Sequence, residues 1–327
     1  MKRICIVGSG AAGLLLLLNF EKNGIDPSCI TIVDPTHSGG DLMNKWSNVR
    51  SNTTWRQIIE AIPSRNSFAQ PWTTLQAEEP VELKLVLQYL QACTKSYMMQ
   101  TSIRTDRVVS VQQESNQWIV GLHRSKQPIV CDLLFLCQGS EPKSLDLPFP
   151  SIPLEIALDK QRLSDSVKPG DNILVFGTAH SGPLVVQNLL EKGAIVTNFY
   201  ATEQPFYFAR DGHYDGIKKD AELIASRILQ GIPSVRLESV HDMSAIIRAS
   251  KKADACVYAC GFEPRNIPSL PKAYNGHTGR IEGCTNAWGF GIAYPNKAPD
   301  GIHWDVSIPA FQSHIQAQMP DILACLQ

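Results

Sequence analysis

The chain lacks several things, and each absence removes a class of function. No apolar run approaches the roughly 20 residues a membrane-crossing helix needs; the stretch from Gly13 to Leu18 is far shorter and reads as a buried helix. There is no excess of charge: 30 Lys and Arg face 31 Asp and Glu, a net −1. Nucleic acid and anionic lipid both need a concentrated cationic face, so neither is expected as a partner. No C-x-x-C occurs among the nine cysteines, at 5, 29, 93, 131, 137, 256, 260, 284 and 325. They read as reduced core thiols, and no metal site is expected. Cys256 and Cys260 stand at C-x-x-x-C, which on a strand sets both on one face too far apart to bond. No G-x-S-x-G, H-E-x-x-H or G-x-x-x-x-G-K-[ST] is present, which removes the common hydrolase, zinc-protease and P-loop chemistries. The first strand begins at Arg3, leaving no space ahead of it for a leader, so a cytoplasmic location is the expectation.

What is present is a doubled pattern. Residues Arg3 to Val7 form a short apolar strand, followed at once by Gly8-Ser9-Gly10-Ala11-Ala12-Gly13 and a long apolar helix. In this context G-x-G-x-x-G has a physical meaning. Gly8 allows the tight turn, Gly10 lets backbone approach a pyrophosphate, and Gly13 lets helix and strand pack closely, with the helix N-terminus aimed at the phosphates. The next strand ends in Asp34-Pro35, 21 residues beyond Gly13, where a carboxylate can take the hydroxyls of an adenosine ribose and repel a 2′-phosphate. The ligand expected at this first turn is FAD or NAD. Gly39 and Gly40 then break any regular period, so no regular structure is expected there; Gly40 offers bare backbone and Trp46 a packing surface.

The second copy is Ile173 to Phe176 followed by Gly177-Thr178-Ala179-His180-Ser181-Gly182, then a helix with Pro183 just inside it and Gly193 as its stop. Here the pattern is G-x-A-x-x-G, which adds one methyl where pyrophosphate would come nearest. At the end of the next strand the position of Asp34 falls to Tyr200 or a neighbour, so NADH and NADPH cannot be told apart. His180 is a weak candidate for catalysis, since a helix N-terminus would lower its pKa and keep it neutral; capping or touching a phosphate is the alternative. Arg210, Asp211 and His213 follow in a loop.

Two further stretches match: DLLFLCQGSEPKSLDLP (132–148) and DACVYACGFEPRNIPSLP (254–271) each run from aspartate through an apolar strand to glycine, acid, proline and a base. Equivalent exits suggest a chain crossing twice between modules. The expected fold is α/β, with two Rossmann-like, three-layer dinucleotide-binding domains, the second inserted in the first: residues 1–150 and 261–327 make the outer domain and 151–260 the inserted one.

The glycine turns, Asp34 and the two crossover passages resemble the flavoprotein superfamily with two dinucleotide-binding domains, comprising pyridine nucleotide-disulfide oxidoreductases and flavin-containing monooxygenases. The resemblance covers nearly the whole chain and implies FAD on the outer domain, NADH or NADPH on the inserted one, and hydride transfer from nicotinamide C4 to flavin N5. It also implies cofactor contacts for Val108, whose strand brackets adenine in the family, for Gly139 in the crossover, and for Gly291 and Ser307, where a last helix points its N-terminus at the flavin. The chain departs from the family in lacking the redox cysteine pair of the disulfide reductases and the F-x-G-x-x-x-H-x-x-x-[YF] segment of the monooxygenases. The expectation is an FAD-dependent oxidoreductase, of reductase or monooxygenase type, acting on a small-molecule substrate or electron acceptor. A flavin-binding redox sensor or interaction protein with a decayed NAD(P) site is the alternative, and a homodimer is left open as the assembly.

Overall fold

The computed structural model describes residues 1–62, 75–145, 147, 149–210, 214, 216–270, 273–298, 301 and 304–327. Its main strands are β1 (Ile4–Val7), β2 (Ile30–Val33), β3 (Ser102–Arg104), β4 (Val108–Glu114), β5 (Gln117–Leu122), β6 (Ile129–Cys131), β7 (Leu133–Leu136), β8 (Asn172–Phe176), β9 (Ile195–Tyr200), β10 (Val235–Ser239), β11 (Ala255–Tyr258) and β12 (Ala287–Gly289). Its main helices are α1 (Ala11–Lys22), α2 (Leu83–Met98), α3 (Ser181–Glu191), α4 (Gly216–Leu229), α5 (Met243–Ser250) and α6 (Ile308–Leu326). The chain divides into two compact units: Met1–Ser47, Thr53–Ser140 and Pro264–Gln327 form the first, and Asn48–Asn52 with Glu141–Glu263 the second.

In unit 1 a parallel sheet runs β12-β7-β1-β2-β3. Alternation along β1 splits its side chains between two cores, as the two-residue period of a strand requires. Ile4 and Ile6 join a core with α1, α2 and α6, while Cys5 and Val7 join one with β4, β5 and β6. The second layer is thus an antiparallel three-stranded sheet, β4-β5-β6. Phe135 on β7 stacks on Trp288 of β12, with ring centroids 5.4 Å apart, and meets Phe20 of α1 edge-on at the same distance. Helix α6 docks on α1 through a buried polar contact, Asn19 Nδ2 donating to Gln312 Oε1 at 2.9 Å. Asn19 also donates to the Leu15 carbonyl.

Unit 2 is a four-stranded parallel sheet in the order β10-β9-β8-β11. Leu174, Phe176, Phe199, Cys256 and Tyr258 pack with α5 on one face. Asn198, fully buried in β9, is the polar exception: its Nδ2 donates to the Val175 and Gly177 carbonyls at 3.0 and 2.9 Å, fastening β9 to the turn after β8. Among the described residues no helix is long and apolar enough to cross a membrane.

Candidate functional site

The two glycine turns are built by the same contacts. Gly8 N donates to the Val33 carbonyl at 2.8 Å and Gly177 N to the Phe199 carbonyl at 2.9 Å. Cys137 N donates to Val7 and Ala259 N to Phe176, both at 2.7 Å. Gly8 and Gly177 have φ of +102° and +112°, and a Cβ on either would run into the carbonyl of Cys137 or Ala259. A Cβ on Gly13 or Gly182 would strike the carbonyl of Gly8 or Gly177 in turn. These four glycines are required by backbone packing, whatever the turns bind.

The middle position differs. A Cβ on Gly10 would meet nothing nearer than the Gly39 carbonyl oxygen at 3.8 Å, an ordinary contact. The fold therefore tolerates alanine there, and Ala179, exposed in unit 2, takes it. What glycine leaves at position 10 is open space beside the backbone. The capping of the helices agrees. Gly10 and His180, the N-cap residues of α1 and α3, make no side-chain cap, and neither helix has an acid in its first turn. Asp242 and Ser307 do cap α5 and α6, Ser307 Oγ accepting from Ala310 N at 3.2 Å. The first-turn amides of α1 thus have no acidic or capping group of their own and suit an anion; in α3 the offer is smaller, because Pro183 has no N–H and Gly182 N donates to the Ala179 carbonyl at 2.9 Å.

Four segments of unit 1 close around the first turn. Asp34, 5% exposed, accepts from Ser9 N at 2.8 Å through Oδ2, and from Thr36 N and His37 N at 2.9 and 2.8 Å through Oδ1. Burial pushes its pKa up, but these amides outweigh burial and hold it below the ordinary value of 3.8. Oδ1 of this carboxylate, expected from the sequence to take ribose hydroxyls, is committed to its own loop, while Oδ2 keeps one lone pair. Gly40, with φ +67°, lies against Gly10: a Cβ on it would come within 3.2 Å of Gly10 Cα. Gly291, φ +87°, rests on Ala12, whose Cβ would stand 2.7 Å from a Cβ there. Gly139, φ +71°, belongs to the crossover beside Cys137.

The remaining sequence candidates fall nearby or elsewhere. Pro35 is exposed, Trp46 is buried with its N–H on the Asp41 carbonyl at 3.0 Å, and Val108 is buried at the start of β4. Asp41–Asn44 forms one helical turn where the glycine pair suggested no regular structure, because the glycines end at Gly40 and leave Asp41 free to begin it. Asp211 and His213 lie outside the described residues. Sequence reading missed His37, Gln138, Asn198 and Arg265. Ser9 Oγ, both ring nitrogens of His37 and Gln138 Oε1 are enclosed without a partner. Enclosed polar atoms around an uncapped helix start fit a polar ligand such as a dinucleotide.

In unit 2, strand register makes Tyr200 the counterpart of Asp34, since Val33 and Phe199 carry the equivalent carbonyls. The second turn therefore has no carboxylate at its ribose position. Thr178 is buried, while His180 and Ser181 are half-buried. The His180 ring packs against Phe208 at 4.5 Å and Tyr214 at 5.4 Å. Burial, with Lys218 adding to it, lowers its pKa to about 4. It is neutral for that reason; the helix N-terminus is not the main cause. Its Nε2 is enclosed and unpartnered.

All nine cysteines are free. Burial pushes the thiols of Cys137, Cys256 and Cys260 up, the opposite of the thiolate that a disulfide relay needs.

Comparison with known proteins agrees with this geometry. Residues 5–141 match the FAD-NAD(P)-binding family. A monooxygenase from Paecilomyces divaricatus is 24% identical over 214 residues, 57% of this chain and 54% of that protein, so the match spans about half the relative's length. The bacillithiol disulfide reductase of Staphylococcus aureus superposes with a TM-score of 0.71 at 15% identity, covering 100% of this chain and 99% of that one. A flavin-containing monooxygenase from Stenotrophomonas maltophilia gives 0.65 at 12% identity, covering 100% and 99%. Residues 5–141 are thus similar to FAD-NAD(P)-binding domains, and the chain as a whole has the fold of these two solved structures.

Proposed function

We propose that the chain is an FAD-dependent oxidoreductase in which unit 1 holds FAD, unit 2 takes NADH or NADPH, and a small-molecule acceptor receives the electrons. The observation that carries this reading is the uncapped start of α1 behind the open edge of Gly10, repeated as an uncapped helix start after the second turn. When bound, the flavin supplies hydride and electron chemistry that no side chain can.

The residues bind and orient. The amides from Gly10 to Gly13 donate to the FAD pyrophosphate, the Cβ-free edge of Gly10 admits it, and Asp34 holds Ser9 and its own loop in place while offering the last lone pair of Oδ2 to ribose. The backbone of Val108, Gly40 with Trp46, Gly139 and Gly291 would line the rest of the cofactor. Ser307 starts α6, whose N-terminus, by the family resemblance, would be turned to the flavin ring and would favour charge that builds on reduction. In unit 2 the amides of Thr178 to Ser181 would take the nicotinamide cofactor's phosphates, Gly182 N being given to the Ala179 carbonyl. His180, neutral above pH 5, is a packing and hydrogen-bonding group there and no proton donor. With raised thiols and no cysteine pair, electrons leave the flavin without a thiol relay, which favours a monooxygenase or a non-thiol reductase. The test is a purified protein with a flavin spectrum that releases FAD on denaturation. Substrate-dependent oxygen uptake with NAD(P)H consumption then distinguishes oxygenation from reduction. A protein that is colourless and regains no flavin on incubation with FAD overturns the assignment.

One observation favours a second reading. Tyr200 at the ribose position and the aromatic cover over His180 suit a flavin protein whose second site no longer accepts nicotinamide. That reading predicts bound FAD that neither NADH nor NADPH reduces.

A further inference from the structure

Arg265 is the first residue but one of unit 1 after the chain returns from unit 2. It ties together three backbone segments that surround the first glycine turn. Its Nη1 donates to the Gln138 carbonyl at 2.9 Å and its Nη2 pairs with Asp41 Oδ2. Its backbone N–H donates to the Gly139 carbonyl at 3.2 Å. Gln138 is held in turn by Tyr294, its Nε2 donating to the phenol oxygen at 2.8 Å. Arg265 and Asp41 are 34% and 24% exposed at the side chain, so water screens their charge only in part.

The chemistry at this point presents a conflict. Asp41 directly follows Gly40, whose backbone lies on Gly10. A carboxylate thus stands one residue from the edge meant for a pyrophosphate, where two anions repel. Lys45 approaches the same carboxylate at 3.7 Å, so two cations meet one anion. Among the described residues, Arg265 reaches it from the crossover side while also gripping the backbone beside Gly139.

We propose that Arg265 is a positioning residue for FAD binding: it neutralises Asp41 next to the pyrophosphate turn, leaves a net positive charge there, and clamps the Gly39–Asp41 loop to the crossover. This rests on the assignment of FAD to unit 1. Lysine cannot substitute fully, because a single ammonium lacks the fork that holds a carboxylate and a carbonyl together.

The test is a double-mutant cycle on the full-length protein, read as FAD affinity by flavin fluorescence after the cofactor is removed and titrated back. Arg265→Met leaves Asp41 paired with Lys45 alone, removes the net positive charge and weakens FAD by at least tenfold, more at low salt than at high. Asp41→Asn alone binds FAD as tightly as wild type or tighter. Arg265→Met with Asp41→Asn restores the net positive charge and recovers the part of the loss that comes from charge, a result a merely structural role would not give. The proposal is overturned if Arg265→Met binds FAD like wild type, or if the double variant is as weak as Arg265→Met. Should Arg265→Met fail to fold, Asp41→Asn decides alone, since weaker FAD binding in that variant contradicts the proposal. Wild-type protein that binds no FAD overturns the assignment of unit 1 itself, a separate outcome.

Discussion

Replacing Asp34 by asparagine probes the first turn at its most constrained point. The carboxylate is 5% exposed and accepts three backbone N–H groups, from Ser9, Thr36 and His37, at 2.8 to 2.9 Å. Asparagine keeps the shape but has one acceptor oxygen. If that oxygen stays with Thr36 and His37, the amide nitrogen faces Ser9 N–H, donor against donor. A hydrogen bond to a charged group contributes about 1.5–3 kcal/mol, and an unsatisfied buried donor costs a similar amount. We expect Asp34→Asn to destabilise unit 1 by about 3 kcal/mol, or about 6–12 °C at roughly 2–4 °C per kcal/mol for a domain of this size. The assay is thermal unfolding of protein stripped of cofactor, so that no lost ligand contact contributes. The pH dependence follows from the lowered pKa. The stabilisation is complete above the unfolded carboxyl value and is lost as pH falls through the lower folded value. The gap between wild type and variant is therefore constant from pH 5 to 8 and narrows only below about pH 4. A cofactor-free Asp34→Asn melting within about a degree of wild type would refute the reasoning.

Other substitutions separate the roles of the second turn and the last helix. Gly177→Ala demands φ near +112° and drives a methyl into the Ala259 carbonyl, so unit 2 should lose at least about 3 kcal/mol in chemical denaturation. Relative to His180→Phe, wild type should lose stability as pH falls from 6.5 towards about 4, because the unfolded chain takes up the proton first; pH-dependent melts of the two proteins check this. Ser307→Ala removes the N-cap of α6 and should cost about 1 kcal/mol by thermal melting.

Much of this was legible because each glycine turn is short-range. The positive φ of Gly8 and Gly177 and the close packing of Gly13 and Gly182 leave a spacing that no other residue satisfies. The apolar strands before them alternate faces in the way their sequences imply. What stayed hidden depends on distant partners or on saturation. Arg265 meets Asp41 across 224 positions, so no local pattern signals the pair. Asp34 carries the expected ribose residue type, yet its spare capacity depends on how Thr36 and His37 turn back upon it. His180 is neutral because Phe208 and Tyr214 cover it, and their rings come from positions 28 and 34 residues further on, which the turn does not dictate. Asn198 reads as an ordinary polar residue in a strand until its amide is seen holding the Gly177 carbonyl.

The central claim is that both turns bind cofactors and that reducing equivalents pass from the second to the first. Stopped-flow absorbance of the FAD-loaded protein mixed anaerobically with NADH, and separately with NADPH, tests it most directly. The account predicts that the flavin absorbance bleaches with at least one of the two, at a rate that saturates with nicotinamide concentration. Flavin that stays oxidised with both would contradict it.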